Sequence, residues 1–454
     1  MTPMATRRRS AIDRLIRVLV FVILGLLVII TGLLALRGVV RALPGRYAYY
    51  LPDPLQELRH VEHDGMLPTP DGGIQATPMT PLLMTPSSTV PPSTATVTPQ
   101  PTSTPQSQGG ATPAPTTPAP TATASPTSTP LPEQPVVCQL EGVRAERQGW
   151  NNCGPATLAM ALSYWGRGET QTEIAPALKP DPEDKNVGPY EMAEYARALG
   201  FEATVRVGGT IDLLRRLVAN DFPVVVETWY IDEEGGQMGH YRLVTGYDDA
   251  AQHFTTVDSL HVEELRLSYQ ELDELWRAFN RLYLVIVPPE RQAEVAEILG
   301  PYMDTDYAFQ EALKTARVEA TGPPEPCVAY VRCEDARMFA WFNVGSSLVA
   351  LEQYEAAASA FDQARALGVP FRMIWYQFGP YEAYYAVGRY EDIIALADET
   401  LRIAGNLEES YYWRGKARQA LGDIAGARAD FQAALRYHEG WAPALEALDA
   451  LSPD

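Results

Sequence analysis

Outside its first 46 residues this chain has little basic charge. The net charge is −21, yet residues 1–46 carry eight arginines and one aspartate, which leaves −28 for the rest. An acidic body argues against nucleic acid as a partner. No P-loop, no dinucleotide fingerprint and no clear metal motif is present, so no cofactor is expected. Histidine numbers only six and cysteine only four. Cys327 and Cys333 stand six apart with no histidine beside them, so a local disulfide is expected there rather than a metal site. His60 and His63 are an isolated pair and read as solvated.

Charge is wholly absent over Val18–Leu36, 19 positions. That is close to the length of a bilayer-spanning helix. Five arginines precede it (Arg7, Arg8, Arg9, Arg14, Arg17) and three follow it (Arg37, Arg41, Arg46). By the positive-inside rule, residues 1–17 form a cytoplasmic basic tail, 18–36 a single transmembrane helix, and everything beyond lies outside. The competing reading is a cleaved signal peptide. Residues 37–67 then form a membrane-proximal segment.

Charge is scarce again in residues 68–135, which hold 18 of the 38 prolines among Thr, Ser and Ala. Such a composition cannot bury a core and reads as a disordered linker. Extended, it would reach on the order of 200 Å; as a coil, roughly 45 Å. This reads as a stalk between membrane and body.

Residues 138–288 read as one α+β domain. Helices are expected at 155–165, 171–178, 189–199 and 210–219. Gly200 stands where the third should stop. Strands are expected at 205–207, 223–229, 241–247, 253–258 and 282–287. Ser268 with Glu271 forms a capping-box pattern that opens a helix to about 278. Helices come first and strands cluster later, without βαβ alternation.

Residues 300–454 change to an almost wholly helical pattern with an internal repeat. Gly345, Tyr354, Ala357, Phe361 and Ala364 recur 70 residues on as Gly415, Ile424, Ala427, Phe431 and Ala434. Tyr390, Ile393 and Ala397 mark a copy between them, whose first helix is expected to be two residues longer. The pattern resembles tetratricopeptide repeats over about 335–440, with a degenerate copy near 304–320.

Chemistry concentrates in three blocks. The first is Gln148-Gly-Trp-Asn-Asn-Cys153-Gly-Pro-Ala, with a helical spacing of Leu158, Leu162 and Trp165 behind it. A cysteine at a helix N-terminus is placed where a thiolate is favoured. Pro155 suits the first turn. The second block is Gly239-His240-Tyr241, and the third is Val257-Asp258. A thiol, an imidazole and a carboxylate in this order fit a nucleophile, its base and the group that orients the base. Other readings stand beside these. Cys153 could pair with Cys138 as a half-cystine, His240 could be a satisfied core histidine, and Asp258 could begin a turn. His253 and His261 compete as bases, but neither has an aspartate following at useful spacing.

These blocks resemble the papain-like cysteine peptidases of family thirty-nine. Those are the bacteriocin-leader peptidases that cut after a double glycine, together with their stand-alone relatives. The resemblance implies an α+β papain-like cysteine peptidase domain, here joined to an all-α helical-repeat domain. It implies Cys153 as nucleophile, His240 as base, Asp258 as its orienting partner and Gln148 as oxyanion donor. Two departures stand out. The family glutamine usually lies six residues before the cysteine, and here the gap is five. The family aspartate is often followed by proline, and here by Ser259. Leader-processing members are fused to transporters, and this chain has no ATP-binding cassette.

The expectation is therefore a membrane-anchored, extracytoplasmic cysteine peptidase acting on peptides or proteins, with repeats that bind a protein partner. The alternatives are an inactive peptidase-like scaffold, or a thiol amidase or acyl transferase acting on cell-wall peptides.

Overall fold

The computed structural model describes residues 31–32, 34–40, 67, 134–231, 237–261, 264–323, 326–329 and 333–451. The expected transmembrane helix lies almost entirely outside these residues, as do the cytoplasmic tail, most of the membrane-proximal segment and nearly all of the linker. Among the described residues no helix is long and apolar enough to cross a membrane.

Seven antiparallel strands build one sheet. They are β1 (Val137–Gln139), β2 (Glu202–Arg206), β3 (Val224–Ile231), β4 (Gln237–Asp248), β5 (His253–Asp258), β6 (Glu264–Ser268) and β7 (Tyr283–Val287). Their order is β2-β7-β3-β4-β5-β6, with β1 paired to the far end of β4. The expected β3, β4 and β5 are present and longer or equal in extent. Two short strands, β1 and β6, went unread because three and five residues carry too little alternation. A register shift between Val244 and Gly246 lets β4 carry β5 and β1 together. Gly246 is needed there, because a Cβ on it would come within 2.8 Å of the Cys138 carbonyl oxygen.

Alternation sends successive β3 residues to opposite faces. Val225 joins Tyr241, Leu243, Leu284 and Ile286 under α1 (Cys153–Tyr164) and α3 (Pro189–Ala198). Val224 and Val226 join Val244, Tyr247 and Val285 under α4 (Ile211–Ala219), with Trp276 of α5 (Tyr269–Arg277). The helix α2 (Gln171–Leu178) has the expected bounds. The capping pattern at Ser268 is realised: its hydroxyl accepts from the Glu271 N–H at 3.1 Å.

Beyond β7 the described chain is helical: α6 (Gln292–Leu299), α7 (Thr305–Thr321), α8 (Asp335–Ala350), α9 (Tyr354–Leu367), α10 (Gly379–Ala386), α11 (Tyr390–Ile403), α12 (Glu408–Ala420), α13 (Ile424–Tyr437) and α14 (Ala442–Asp449). The repeat has a steric basis. A Cβ on Gly345 would sit 2.6 Å from the Phe361 ring, and one on Gly415 would sit 2.6 Å from the Phe431 ring. In the middle pair the sizes are exchanged: Tyr381 and Ala397 hold the corresponding positions, both fully buried. The middle copy's first helix is not longer, as expected, but only the eight residues of α10. The extra chain forms a 3₁₀ turn, Phe371–Trp375, before it. Cys327 and Cys333 form the expected local disulfide.

One core spans both regions. Trp229 of β3 and Phe279 at the end of α5 are buried with Phe339, Phe342 and Phe361 of the helices. The Trp229 and Phe339 rings lie 5.4 Å apart. Polar bonds reinforce the seam: Asn343 Nδ2 donates to the Arg277 carbonyl at 2.6 Å, and Asn280 Nδ2 to Ser347 Oγ at 2.9 Å. Asn280 and Arg281 both take positive φ, an uncommon backbone for residues with side chains.

Leu67 belongs to the same core and donates its N–H to the Val369 carbonyl at 2.9 Å. The body thus holds the chain on both sides of the proline-rich tract, at Leu67 and again from Gln134. The proline-rich tract itself, and with it the stalk reading, lies outside the described residues.

Because the core is shared, Phe279→Ala should cost about 3–5 kcal/mol and loosen both regions together. Denaturant unfolding followed by Trp fluorescence and by far-UV circular dichroism should give coincident transitions. Two separate transitions would show that the helices fold independently of the sheet.

Candidate active site

Asn152 stands at the N-cap of α1, and Cys153 is the first residue of the helix. The loop before it is held from two sides. Gln171 Oε1 accepts from the Gly149 N–H at 2.7 Å and from Asn152 Nδ2 at 3.1 Å. The buried Lys179 ammonium donates to the carbonyls of Trp150 and Asn151, at 3.3 and 3.1 Å. Asn151 takes positive φ and donates from Nδ2 to the Asp184 carbonyl at 2.9 Å. Asn151 and Asn152 are thus committed to building the loop.

The two blocks on the sheet come together across β4 and β5. Arg242 pairs with Asp258 in register, and His240, two residues before Arg242, shares its face. His240 Nε2 lies 2.9 Å from Asp258 Oδ1. Arg242 Nε donates to Asp258 Oδ2 at 2.9 Å, and its Nη1 donates to Thr228 Oγ1. The Leu260 N–H also donates to Asp258 Oδ1, at 2.8 Å. Asp258 therefore both pairs with the imidazole and starts the following turn. His240 and Asp258 are only 1% and 0% exposed.

Electrostatics follow from this arrangement. Burial works against the Asp258 anion, but His240 and Arg242 outweigh it and hold the carboxyl far below its ordinary range. Burial lowers the His240 pKa, and Asp258 opposes that shift.

The thiol differs from the sequence expectation. The Cys153 side chain is half-buried, and loss of water is the largest influence on its thiol, pushing it up to about 11. The Tyr241 N–H, the Lys179 ammonium and the helix N–H of Gly154 favour the thiolate, but they do not overcome burial. Glu227, the cross-strand partner of Tyr241, raises the thiol further. The Glu227 carboxyl is itself pushed up to about 8 by burial. The helix end contributes as expected, yet desolvation wins.

The thiol therefore lies by the β4 backbone one residue from His240. Among the described residues no hydrogen bond joins Cys153 to the His240 ring; the ring's partner is Asp258. Gln148 sits at the end of β5. Its N–H donates to the Ser259 carbonyl at 2.9 Å, and its Oε1 accepts from the Ser259 hydroxyl at 2.8 Å. Cys138 is a free thiol on β1 and donates to the Val218 carbonyl at 3.5 Å, so it does not bond to Cys153. His253 begins β5 in register with Ser268. His261 lies 6.4 Å from the Tyr230 ring, and among the described residues it has no carboxylate partner.

With the geometry in hand, comparison with known proteins adds one finding. Residues 134–284 match the Peptidase_C39 like family. The match covers about a third of the chain, and over it the chain is similar to C39-type peptidase domains. Among solved structures, a protein assigned as a C39-like peptidase from Bacillus anthracis matches at 17% identity and a TM-score of 0.28, over 33% of this chain and 97% of that one. No curated protein matches the chain.

Four residues of the peptidase-like domain escaped the sequence reading: Arg242, Glu227, Gln171 and Lys179. Arg242 had a signal, since its spacing from His240 puts both on one face of a strand. The other three reach the site from elements distant in sequence, and no local pattern marks them.

Two pH responses follow. His240 should remain neutral at pH 6.5 and above, and Asp258→Asn should lower its pKa further by removing the favourable anion. Histidine NMR shifts followed against pH would show both, and a His240 that titrates above 6.5 would contradict the burial argument. Asp184 behaves in the opposite sense. Burial and the nearby Glu408 push its carboxyl from 3.8 to about 8. The native state then holds a proton that the unfolded chain releases, so stability should fall as pH rises from about 4 through 8. Asp184→Asn should flatten that decline in a series of thermal melts.

Proposed function

We propose that this chain is a membrane-tethered, extracytoplasmic cysteine peptidase that hydrolyses peptide bonds. The observation that carries the reading is the buried His240–Asp258 pair across β4 and β5, with the helix-borne thiol of Cys153 beside β4. In this reading Cys153 Sγ gives its proton to His240 and attacks the substrate carbonyl. The resulting imidazolium then gives the proton to the leaving amine, and a water activated by the same imidazole releases the acyl group. Asp258 fixes the tautomer and supports the imidazolium, which matters because burial alone disfavours that charge. Arg242 keeps Asp258 ionised. Gln148 is the oxyanion donor of the family resemblance. With its Oε1 engaged by Ser259, the Nε2 end is the donor.

The thiol's raised pKa sets the working order. The resting pair is a neutral thiol and a neutral imidazole, and proton transfer accompanies attack rather than preceding it. In this reading residues 18–36 anchor the protein in the cell membrane with its N-terminus in the cytoplasm. The helix pairs between 335 and 440 act as tetratricopeptide-like repeats that offer a concave surface to a protein partner.

A second reading has its own support. The protonated thiol, with no bond to His240, is what a peptidase-like scaffold without activity would show.

The two readings part on one set of measurements. If the chain is a peptidase, Cys153→Ala should abolish hydrolysis of a peptide library while the circular dichroism spectrum is unchanged. His240→Ala should lower kcat/KM by on the order of 10² or more. Full activity in Cys153→Ala would discard the thiol mechanism. No hydrolysis by the unmodified chain, with a Cys153 alkylation rate indifferent to His240→Ala, would establish the scaffold.

A further inference from the structure

The segment between α9 and α10 belongs to the helical region but is bound to the peptidase-like domain. Arg372 Nη1 donates to the Gln237 carbonyl at 2.8 Å. Asn186 Nδ2 donates to the Trp375 carbonyl, and Gln377 Nε2 to the Ala278 carbonyl at 3.2 Å. Lys185 lies 5.9 Å from the centroids of both the Trp150 and Trp375 rings. These contacts surround Tyr376, whose ring meets Phe279 edge-on at 5.9 Å.

Tyr376 lies on the residue before His240. A Cβ added to Gly239 would be 3.0 Å from both Cε2 and Cζ of Tyr376. Cζ carries the hydroxyl, so the phenolic end of the ring covers Gly239. The Gly239 N–H favours the phenol oxygen as an acceptor, which leaves the O–H proton to point elsewhere. The titratable groups near enough for their charges to act on that hydroxyl are the Cys153 thiol on α1, Glu227 on β3 and Arg372 on its own segment. Burial, with Cys153 and Glu227, holds the phenol proton well above its usual range, so Tyr376 remains a neutral donor. Around the thiol itself stand Glu227, the Tyr241 N–H and Lys179 at the end of α2.

Resting on the peptidase reading, we infer that Tyr376 is a positioning residue of the Cys153 site: its ring closes the cleft over Gly239, and its hydroxyl donates a hydrogen bond to the thiolate. The helical region would then complete the thiol site as well as carry repeats. A thiolate formed at this half-buried position needs donors to replace the water it has lost, and Tyr376 is placed to be one. The same placement accounts for glycine at 239, where any side chain would push Tyr376 away.

The test is the alkylation rate of Cys153 against pH in the full chain, measured by peptide mass spectrometry with Cys138 as internal reference. Iodoacetamide is the probe. Tyr376→Phe keeps the ring and deletes only the hydroxyl. It should move the thiol midpoint upward by about one unit, which is about tenfold slower alkylation at a fixed pH below the midpoint. Tyr376→Leu should add a loss of thermal stability. An unchanged profile in Tyr376→Phe, with stability lost only in Tyr376→Leu, would reduce Tyr376 to packing and overturn the inference. Faster alkylation in Tyr376→Phe would also overturn it, since the residue would then be only a plug. His240→Ala, measured alongside, separates the two claims. If only that variant leaves the profile unchanged, the peptidase reading fails while the Tyr376 contact stands.

Discussion

The burial of Trp229 and Phe279 against Phe339 is the constraint on which the rest of this structure depends. It joins the end of a β-strand, the end of a helix and the helical region in one apolar core. Such a seam resembles the interior of a single domain more than a contact between tethered ones. Its effect reaches the thiol site directly. The 3₁₀ turn Phe371–Trp375 is carried by helices that this core fixes, so Tyr376 is set against Gly239 with little freedom to leave. The polar bonds at Asn280 and Asn343 then hold the turn between α5 and β7, where two adjacent residues with side chains adopt positive φ.

Two buried acids of β-strands show how local donors decide charge. Asp258 and Glu227 are both almost fully buried. Asp258 has an imidazole, a guanidinium and a backbone N–H directed at its oxygens, and it stays ionised. Glu227 has mainly the Tyr241 hydroxyl to favour its anion, and burial prevails. The same contest is lost by the thiol, where an ammonium and two N–H groups fall short of the desolvation cost. The site is thus preorganised around the imidazole and not around a standing thiolate. In the proposed peptidase, charge at sulfur would be made during attack, when a substrate or a neighbouring donor is present to stabilise it.

Much of this was legible in the sequence. The order Cys153, His240, Asp258 survived as geometry for its last two members, because a strand repeat of two and an antiparallel hairpin are local facts. The helix bounds of α2 and the capping at Ser268 were legible for the same reason. The loss of water at Cys153 was not, because the apolar cluster it packs against includes Tyr241 and Leu243, which lie 88 or more residues away in sequence. The helix-terminus argument had the right sign and the wrong winner. The repeat was visible through Gly345 with Phe361 and Gly415 with Phe431. The middle copy was misjudged because Tyr381 and Ala397 exchange large for small, and because the added residues went into a 3₁₀ turn rather than a longer helix. The burial of Leu67 in the shared core is a single-residue contact that no composition argument could foresee.

A second set of buried charges ties the site to the helices. Lys179 holds the loop that ends in Cys153 and also donates to the Asp184 carbonyl, at 3.4 Å. Asp184 in turn is raised by Glu408, which accepts from His438 at 3.1 Å, while Glu408, Asp184 and Glu191 all raise Glu409. Asn406 Nδ2 reaches back to the Glu183 carbonyl at 2.5 Å. Four carboxyls near one imidazole and one ammonium cannot all be ionised at low cost. At least one keeps its proton, and Asp184 and Glu409 are the most strongly pushed that way. The same Lys179 favours the Cys153 thiolate. Lys179 is therefore an ammonium that both Asp184 and the Cys153 thiol act on. The peptidase-like domain and the helices accordingly share a charge balance as well as an apolar core.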